Sequence, residues 1–218
     1  QKGYSFMKIG MLLAVIAAMF CALSAPAGAQ QKGVTAFPES SSTITFIRDG
    51  EFYFEIAYGG WGPKWSWMGI NGKTETADGG SVLRNAANVN TGAKLDIVTR
   101  AAKAGDEQLK MDIEVSTDKD TDLTMLIAGV NLNDAFFDEG KILATLADGT
   151  EKTIEMPLAR KGVGENVKKF TYVDNDGLQT VFSFAEPINV TSDGQARIVL
   201  ANSVNADDPT EVSMTVDL

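Results

Sequence analysis

The sequence predicts an all-β protein, an antiparallel two-sheet β-sandwich of jelly-roll type. Three observations carry that expectation. Short runs alternate apolar and polar residues with the period of two that buries one face of a strand. Turn signals such as Asp-Gly and Asn-Gly separate the runs at intervals suited to a sandwich. No amphipathic helix of useful length interrupts them.

The chain opens with six residues that precede Met7-Lys8, the natural-looking start. From Ile9 to Leu23 it is apolar apart from Gly10, and Ala27-Gly28-Ala29 offers a small-residue cleavage pattern. A positive start, a short apolar core and such a site predict a secretory signal peptide over 7–29. The apolar core, about 15 residues, is short of the ~20 that a spanning helix needs. Ala18, Met19 and Phe20 precede Cys21, which is not the context of a lipidated cysteine.

Cleavage after Ala29 leaves a mature chain without cysteine or histidine. Export permits disulfides, but none can form there. Removing Lys2 and Lys8 from 19 basic residues leaves 17 against 29 acidic ones, a net charge of −12. A surface that acidic argues against nucleic acid and, after signal cleavage, against an anionic membrane. The 189 residues that remain suffice for one core, so a polar lead-in (30–42) and one β-sandwich domain (43–218) are expected.

Taken in order, Thr43–Arg48 and Glu51–Tyr58 form a hairpin about Asp49-Gly50, which accepts the positive φ of a type I′ turn. Phe52, Phe54, Ile56 and Tyr58 are expected on the buried face, with Glu51, Tyr53 and Glu55 opposite. Next comes Gly59-Gly60-Trp61-Gly62-Pro63-Lys64-Trp65-Ser66-Trp67-Met68-Gly69-Ile70-Asn71-Gly72, which holds every tryptophan of the chain. Trp65–Ile70 reads as a short strand with Trp65 and Trp67 on one face, turned back by Asn71-Gly72. Residues 78–90 are weakly patterned, with room for one helical turn.

Strands are then expected over 93–100, 108–117, 123–132, 142–147, 150–158, 170–173, 178–184, 196–201 and 212–218. The second of these alternates most cleanly, and 123–132 is apolar on both faces and so central. Asp148-Gly149 marks a second hairpin. The last strand runs to Leu218, which fits either a natural terminus or a chain that continues.

The missing histidine rules out several chemistries. A histidine-braced copper oxidase of polysaccharides, histidine-ligated zinc hydrolases and Ser-His-Asp hydrolases cannot be built. Paired carboxylates remain open to glycoside chemistry. The nearest pattern, Asp112-Ile113-Glu114, lacks a third carboxylate at the needed offset and reads as the wet face of a strand. Asp118, Asp120 and Asp122 alternate as calcium ligands do. Leu123 and Gly129, however, stand where an EF-hand needs glycine and glutamate. They form either a structural calcium site of another type or a solvated turn. Asp174-Asn175-Asp176-Gly177 and 205–208 read as turns, and Gly162-Val163-Gly164 lacks the residues of a phosphate loop. Asn189-Val190-Thr191 matches a glycosylation sequon but follows a bacterial-looking leader.

The tryptophans remain. Trp61, Trp65 and Trp67 either anchor the core or stand out as flat platforms for sugar rings, with Tyr58, Lys64 and Asn71 near enough to assist. An acidic, exported, all-β domain with this aromatic cluster resembles the carbohydrate-binding modules appended to bacterial polysaccharide-degrading enzymes. The resemblance covers the architecture of residues 40–218. It implies a jelly roll, a structural calcium ion, a polysaccharide or oligosaccharide ligand, a catalytic domain elsewhere in a parent protein and no catalysis here. Two other classes stay open: a structural or adhesive surface protein with protein partners, and a glycosidase or lyase with an unfamiliar carboxylate pair.

Overall fold

A computed structural model describes residues 34–218 apart from Ser40, Asp78, Asp106 and Lys161. The expected signal peptide and Cys21 lie outside the described residues. The fold is all-β and sandwich-like. Its strands are β1 (Val34–Pro38), β2 (Ile44–Arg48), β3 (Glu51–Gly62), β4 (Ser66–Trp67), β5 (Asn71–Ala77), β6 (Gly80–Asn88), β7 (Lys94–Lys103) and β8 (Gln108–Thr117). There follow β9 (Thr121–Leu132), β10 (Lys141–Leu146), β11 (Glu151–Glu155), β12 (Gly164–Val173), β13 (Gln179–Ser192), β14 (Ala196–Val204) and β15 (Thr210–Asp217). One short helix, α1 (Asp134–Phe137), follows β9.

All strand pairs are antiparallel, in the order β1-β2-β3-β9-β14-β13-β15-β8-β7-β6-β5, with β12, β10 and β11 branching from β13. The expected two sheets are thus one hydrogen-bonded sheet that wraps over itself towards a barrel. The shared strand is β13. Its residues 181–184 pair with β15 and 190–192 with β14. Its register against β12 slips between Ser183 and Ile188, where Pro187 lies. Proline is tolerated in a strand at such an irregularity because no ladder donor is lost there.

Alternation fixes the inner faces. Leu109, Met111, Ile113 and Val115 of β8 are buried as expected. Strand β9 lies between β3 and β14 and is buried continuously from Met125 to Val130, which accounts for its unbroken apolar run. Aromatic pairs stack within two hairpins, and a third contact joins them. Phe46 stacks on Phe54 at 4.1 Å, Phe170 on Phe182 at 4.6 Å, and Phe54 meets Phe182 at 6.0 Å.

Both Asp-Gly hairpins form. Asp49 (φ 52°) and Gly50 (φ 87°) make the type I′ turn; at the second, Gly149 alone is left-handed. The face assignment in β3 is corrected. Ile47 pairs with Phe52 but Phe46 pairs with Phe54, so Tyr53 is the extra residue of a bulge. Tyr53 and Phe54 are both buried, and Phe52 is turned out. The Tyr53 ring packs on Phe136 and Phe137, and its hydroxyl donates to Asp174 Oδ2 at 3.0 Å.

Three further expectations change. Residues 78–90 hold no helical turn among the described residues; most of them form β6, paired on both sides. Asn71-Gly72 does not turn the chain but begins β5, opposite Ala86 and Asn85. The strand expected over 65–70 shrinks to the two residues of β4. Strand β1, inside the stretch read as a lead-in, pairs with β2.

Candidate functional site

The tryptophan segment is built on the end of β3. After Gly62 a 3-10 turn, Pro63–Trp65, reverses the chain so that Ser66 and Trp67 pair back onto Gly62 and Trp61. Lys64 (φ 60°) and Trp65 (φ 61°) are both left-handed, a conformation that costs a non-glycine residue about 1–2 kcal/mol. Several contacts hold them there. The Thr124 hydroxyl donates to Gly62 O at 2.8 Å and accepts from Trp65 N–H at 3.4 Å. Asn90 Nδ2 donates to Pro63 O at 3.4 Å. Met68 N–H donates to Gly60 O at 3.0 Å, while the Met68 side chain is buried in the core.

This anchoring leaves the indoles outside. Trp65 is 61% and Trp67 65% exposed, while Trp61 is half-buried between them. Trp65 and Trp67 meet the Trp61 ring edge-on, with centroids at 6.0 and 5.3 Å. They do not share one face of a strand, as alternation suggested, because Trp65 belongs to the 3-10 turn and only Trp67 to β4.

The same side of the sheet carries a second, small apolar cluster of Met125, Ile127 and Val199, with Trp61 packed against it. Register explains the assembly. Trp61 lies opposite Met125, Gly59 opposite Ile127, and Ala57 opposite Gly129; Val199 and Arg197 flank Ile127 and Gly129 from β14. Gly59 and Gly129 contribute no side chains to this face. A Cβ at Gly59 would lie 3.5 Å from Ile127, and one at Gly129 would lie 3.3 Å from Gln195 Oε1. The floor is therefore low, and a cavity of about 310 Å³ opens over it, walled by Trp61, Trp67, Asn131, Gln195 and Arg197.

Its polar wall is ordered. The Arg197 guanidinium stacks 4.9 Å from the Trp61 ring, and its Nη2 donates to Asp193 Oδ2 at 3.0 Å. Asp193 also meets Arg160 Nε at 2.6 Å. Asn131 Nδ2 donates to Glu55 Oε1 at 2.9 Å. Arg197 Nε and Gln195 Oε1 are buried without a protein partner.

Of the residues expected at a sugar site, Trp61 and Trp67 line this cavity and Trp65 stands beside them. Tyr58 contributes to the cavity's lining, but its ring packs on the main core and its hydroxyl bonds to Thr99. Burial pushes that phenol's ionisation well above its ordinary range. Asn71 is exposed on β5 and does not line the cavity. Arg197, Gln195 and Asn131 were not anticipated. The available signal was the pair of glycines, Gly59 and Gly129, inside otherwise apolar strands, which marks a close approach.

The aspartates read as calcium ligands go separate ways. Asp118 Oδ1 accepts from Lys94 N–H at 2.8 Å and Asp120 Oδ1 from Ala206 N–H at 2.9 Å, while Asp122 is exposed. Among the described residues no three acidic, histidine or cysteine side chains gather as a metal site. On β8, Asp112 accepts from Ser213 Oγ at 2.7 Å, and that bond, with Lys110, holds its carboxyl below the usual range. A general acid for glycoside cleavage needs the opposite shift.

No protein-family profile and no curated protein matches the sequence. Solved structures do resemble the fold. A variant of a glycoside hydrolase family 97 enzyme from Pseudoalteromonas sp. strain K8 superposes with a TM-score of 0.51 at 11% identity, over 84% of this chain and 33% of that one. Another, in complex with panose, gives the same values. A β-arabinopyranosidase gives a TM-score of 0.49 at 9% identity, over 84% of this chain and 38% of that one. The chain thus spans about a third of the length of these enzymes. At such identities the likeness is one of fold: this β-rich architecture also occurs in carbohydrate-active enzymes.

Proposed function

We propose that the protein is an exported, bacterial carbohydrate-binding domain that holds a polysaccharide or oligosaccharide on the Trp61–Trp65–Trp67 platform without transforming it. One observation carries the reading. Two large indoles stand mostly in solvent at a left-handed turn held by Thr124 and Met68, and one of them, Trp67, walls a cavity that Arg197, Gln195 and Asn131 also line. Exposed aromatic surface of this kind is retained against solubility for a partner. The apolar face of a pyranose fits it, and the sugar hydroxyls meet the polar wall of Arg197, Gln195 and Asn131. The fold shared with glycoside hydrolase family 97 structures, one of them holding panose, supports the same ligand class. It is also consistent with a catalytic domain elsewhere in a parent protein.

The test is a glycan array followed by calorimetry on the purified chain. Binding to at least one neutral glycan is expected. The double variant Trp65→Ala/Trp67→Ala should weaken it by more than about tenfold, as the loss of a central aromatic contact does. Retention of full affinity in that variant, or cleavage of the bound glycan by the wild type, would sink the reading.

A further inference from the structure

We infer that the site continues beyond the tryptophans as a groove across the strands, built for a linear, neutral glycan of several sugar units. This rests on the carbohydrate reading above and extends it. The apolar cluster Met125–Ile127–Val199 is the link: Ile127 floors the first cavity, while Met125 and Val199 line a second one of about 600 Å³. The second cavity reaches Asn202 on β14, Asn189 and Thr191 on β13, Glu165 on β12 and Lys152 on β11.

The direction follows from the sheet order. From β3 the neighbours are β9, β14, β13 and β12, so the two cavities together span four strand spacings. At about 4.8 Å each, that is roughly 19 Å, longer than one sugar ring. Between the cavities Met125, Ile127 and Val199 are themselves buried under Trp61, so a pyranose face crosses there on the Trp61 ring beside the Arg197 guanidinium. Amide groups flank the path, Asn131 and Gln195 beside the first cavity and Asn189 and Asn202 beside the second. A chain of linked sugars presents that alternation of C–H faces and hydroxyls.

The charges favour a neutral chain. Asp193 neutralises Arg197 and is shared with Arg160, and Lys152 is offset on the second rim by Glu165. No cluster of free cations lines either cavity among the described residues, and the net charge is strongly negative.

The experiment compares trimers with hexamers or longer of the malto-, cello- and xylo-oligosaccharide series by calorimetry. The probe variant is Lys152→Ala/Glu165→Ala, whose two side chains are exposed and outside the core. In the series that binds, the longer chain should bind at least about tenfold more tightly than the trimer. The variant should erase that gain and leave trimer affinity unchanged. Equal affinity for both lengths, or a gain that survives in the variant, would overturn the groove while leaving the platform intact. Tighter binding of oligogalacturonates than of any neutral series would overturn the neutral assignment. No binding to any series, with Trp65→Ala/Trp67→Ala indistinguishable from wild type on a wider array, would overturn both readings.

Discussion

The Met68 methyl group occupies the place where a Cβ on Gly60 would stand, and Leu126 closes the same space from β9, with its Cδ1 3.2 Å from that position. This fit fixes the tryptophan turn at its base. Met68 enters the core from beyond β4 and pulls the chain flat against β3, so Trp67 is left outside.

Gly60→Ala should therefore displace Met68 and loosen the turn. Overpacking of this kind costs about 1–3 kcal/mol. Chemical denaturation should show that loss, and tryptophan fluorescence should shift to the red at denaturant concentrations well below global unfolding. An unchanged midpoint and spectrum would mean that Met68 is not what seats the indoles.

The parts of this architecture that were legible are those with local causes. Asp49-Gly50 announces its turn because only such residues accept two positive φ angles cheaply, and Leu109 to Val115 announce β8 by alternation. The bulge at Tyr53 was not legible, because its cause lies 121 residues away, at Asp174. Strand β6 also alternates in burial, at Leu83, Asn85 and Ala87, but two of those side chains are polar or small, so the pattern is faint. At the site, the three tryptophans are visible in sequence because they are adjacent. Arg197, Gln195 and Asn131 join them only through the register of β14 and β9 against β3. No local pattern contains that register.

Asp174 is the most consequential carboxylate in the fold. Its side chain is wholly buried, where it accepts from Arg48 and Tyr53, and its second oxygen caps Asp176 N–H at 3.0 Å and Leu178 N–H at 2.8 Å. It clamps the β12–β13 turn to the β2–β3 hairpin. Asp174→Asn leaves the Arg48 charge only 16% exposed, with the exposed Asp176 as its remaining close partner at this turn. Breaking a buried pair in this way costs about 3–5 kcal/mol. Thermal unfolding should register it as a drop of more than about 6 °C at this chain length. Asp176→Asn, at the exposed end of the same network, should cost less than about 1 kcal/mol.

Alkaline pH should unfold the protein through its tyrosines. Tyr53, Tyr58 and Tyr172 all have phenols pushed well above their ordinary range, chiefly by burial. A raised pKa in the folded state means that the unfolded chain loses its protons first. The contribution to stability is complete below about pH 10, the unfolded value, and falls as pH rises beyond it. Each phenol contributes a slope of about 1.4 kcal/mol per pH unit there. Urea titrations at a series of pH values should show stability insensitive to these groups near neutrality and falling steeply above about pH 10. Tyrosinate absorbance should appear together with unfolding. Gradual titration of all three in a folded protein would contradict their burial.

Stability and ligand binding should separate within the tryptophan cluster. Trp61 is packed on Met125, Ile127 and Val199 and under Arg197, so Trp61→Ala should cost about 2–4 kcal/mol and disturb the cavity at the same time. Trp65 is the opposite case. It is mostly exposed and held at φ 61°, where glycine carries no steric penalty. Trp65→Gly should therefore leave the melting temperature unchanged or raise it by an amount equivalent to about 1 kcal/mol, while glycan affinity falls. A side chain that strains its own backbone and contributes little to the core persists where function needs it. If Trp65→Gly instead destabilises the fold and leaves binding intact, Trp65 is a structural residue, and the platform reduces to Trp61 and Trp67.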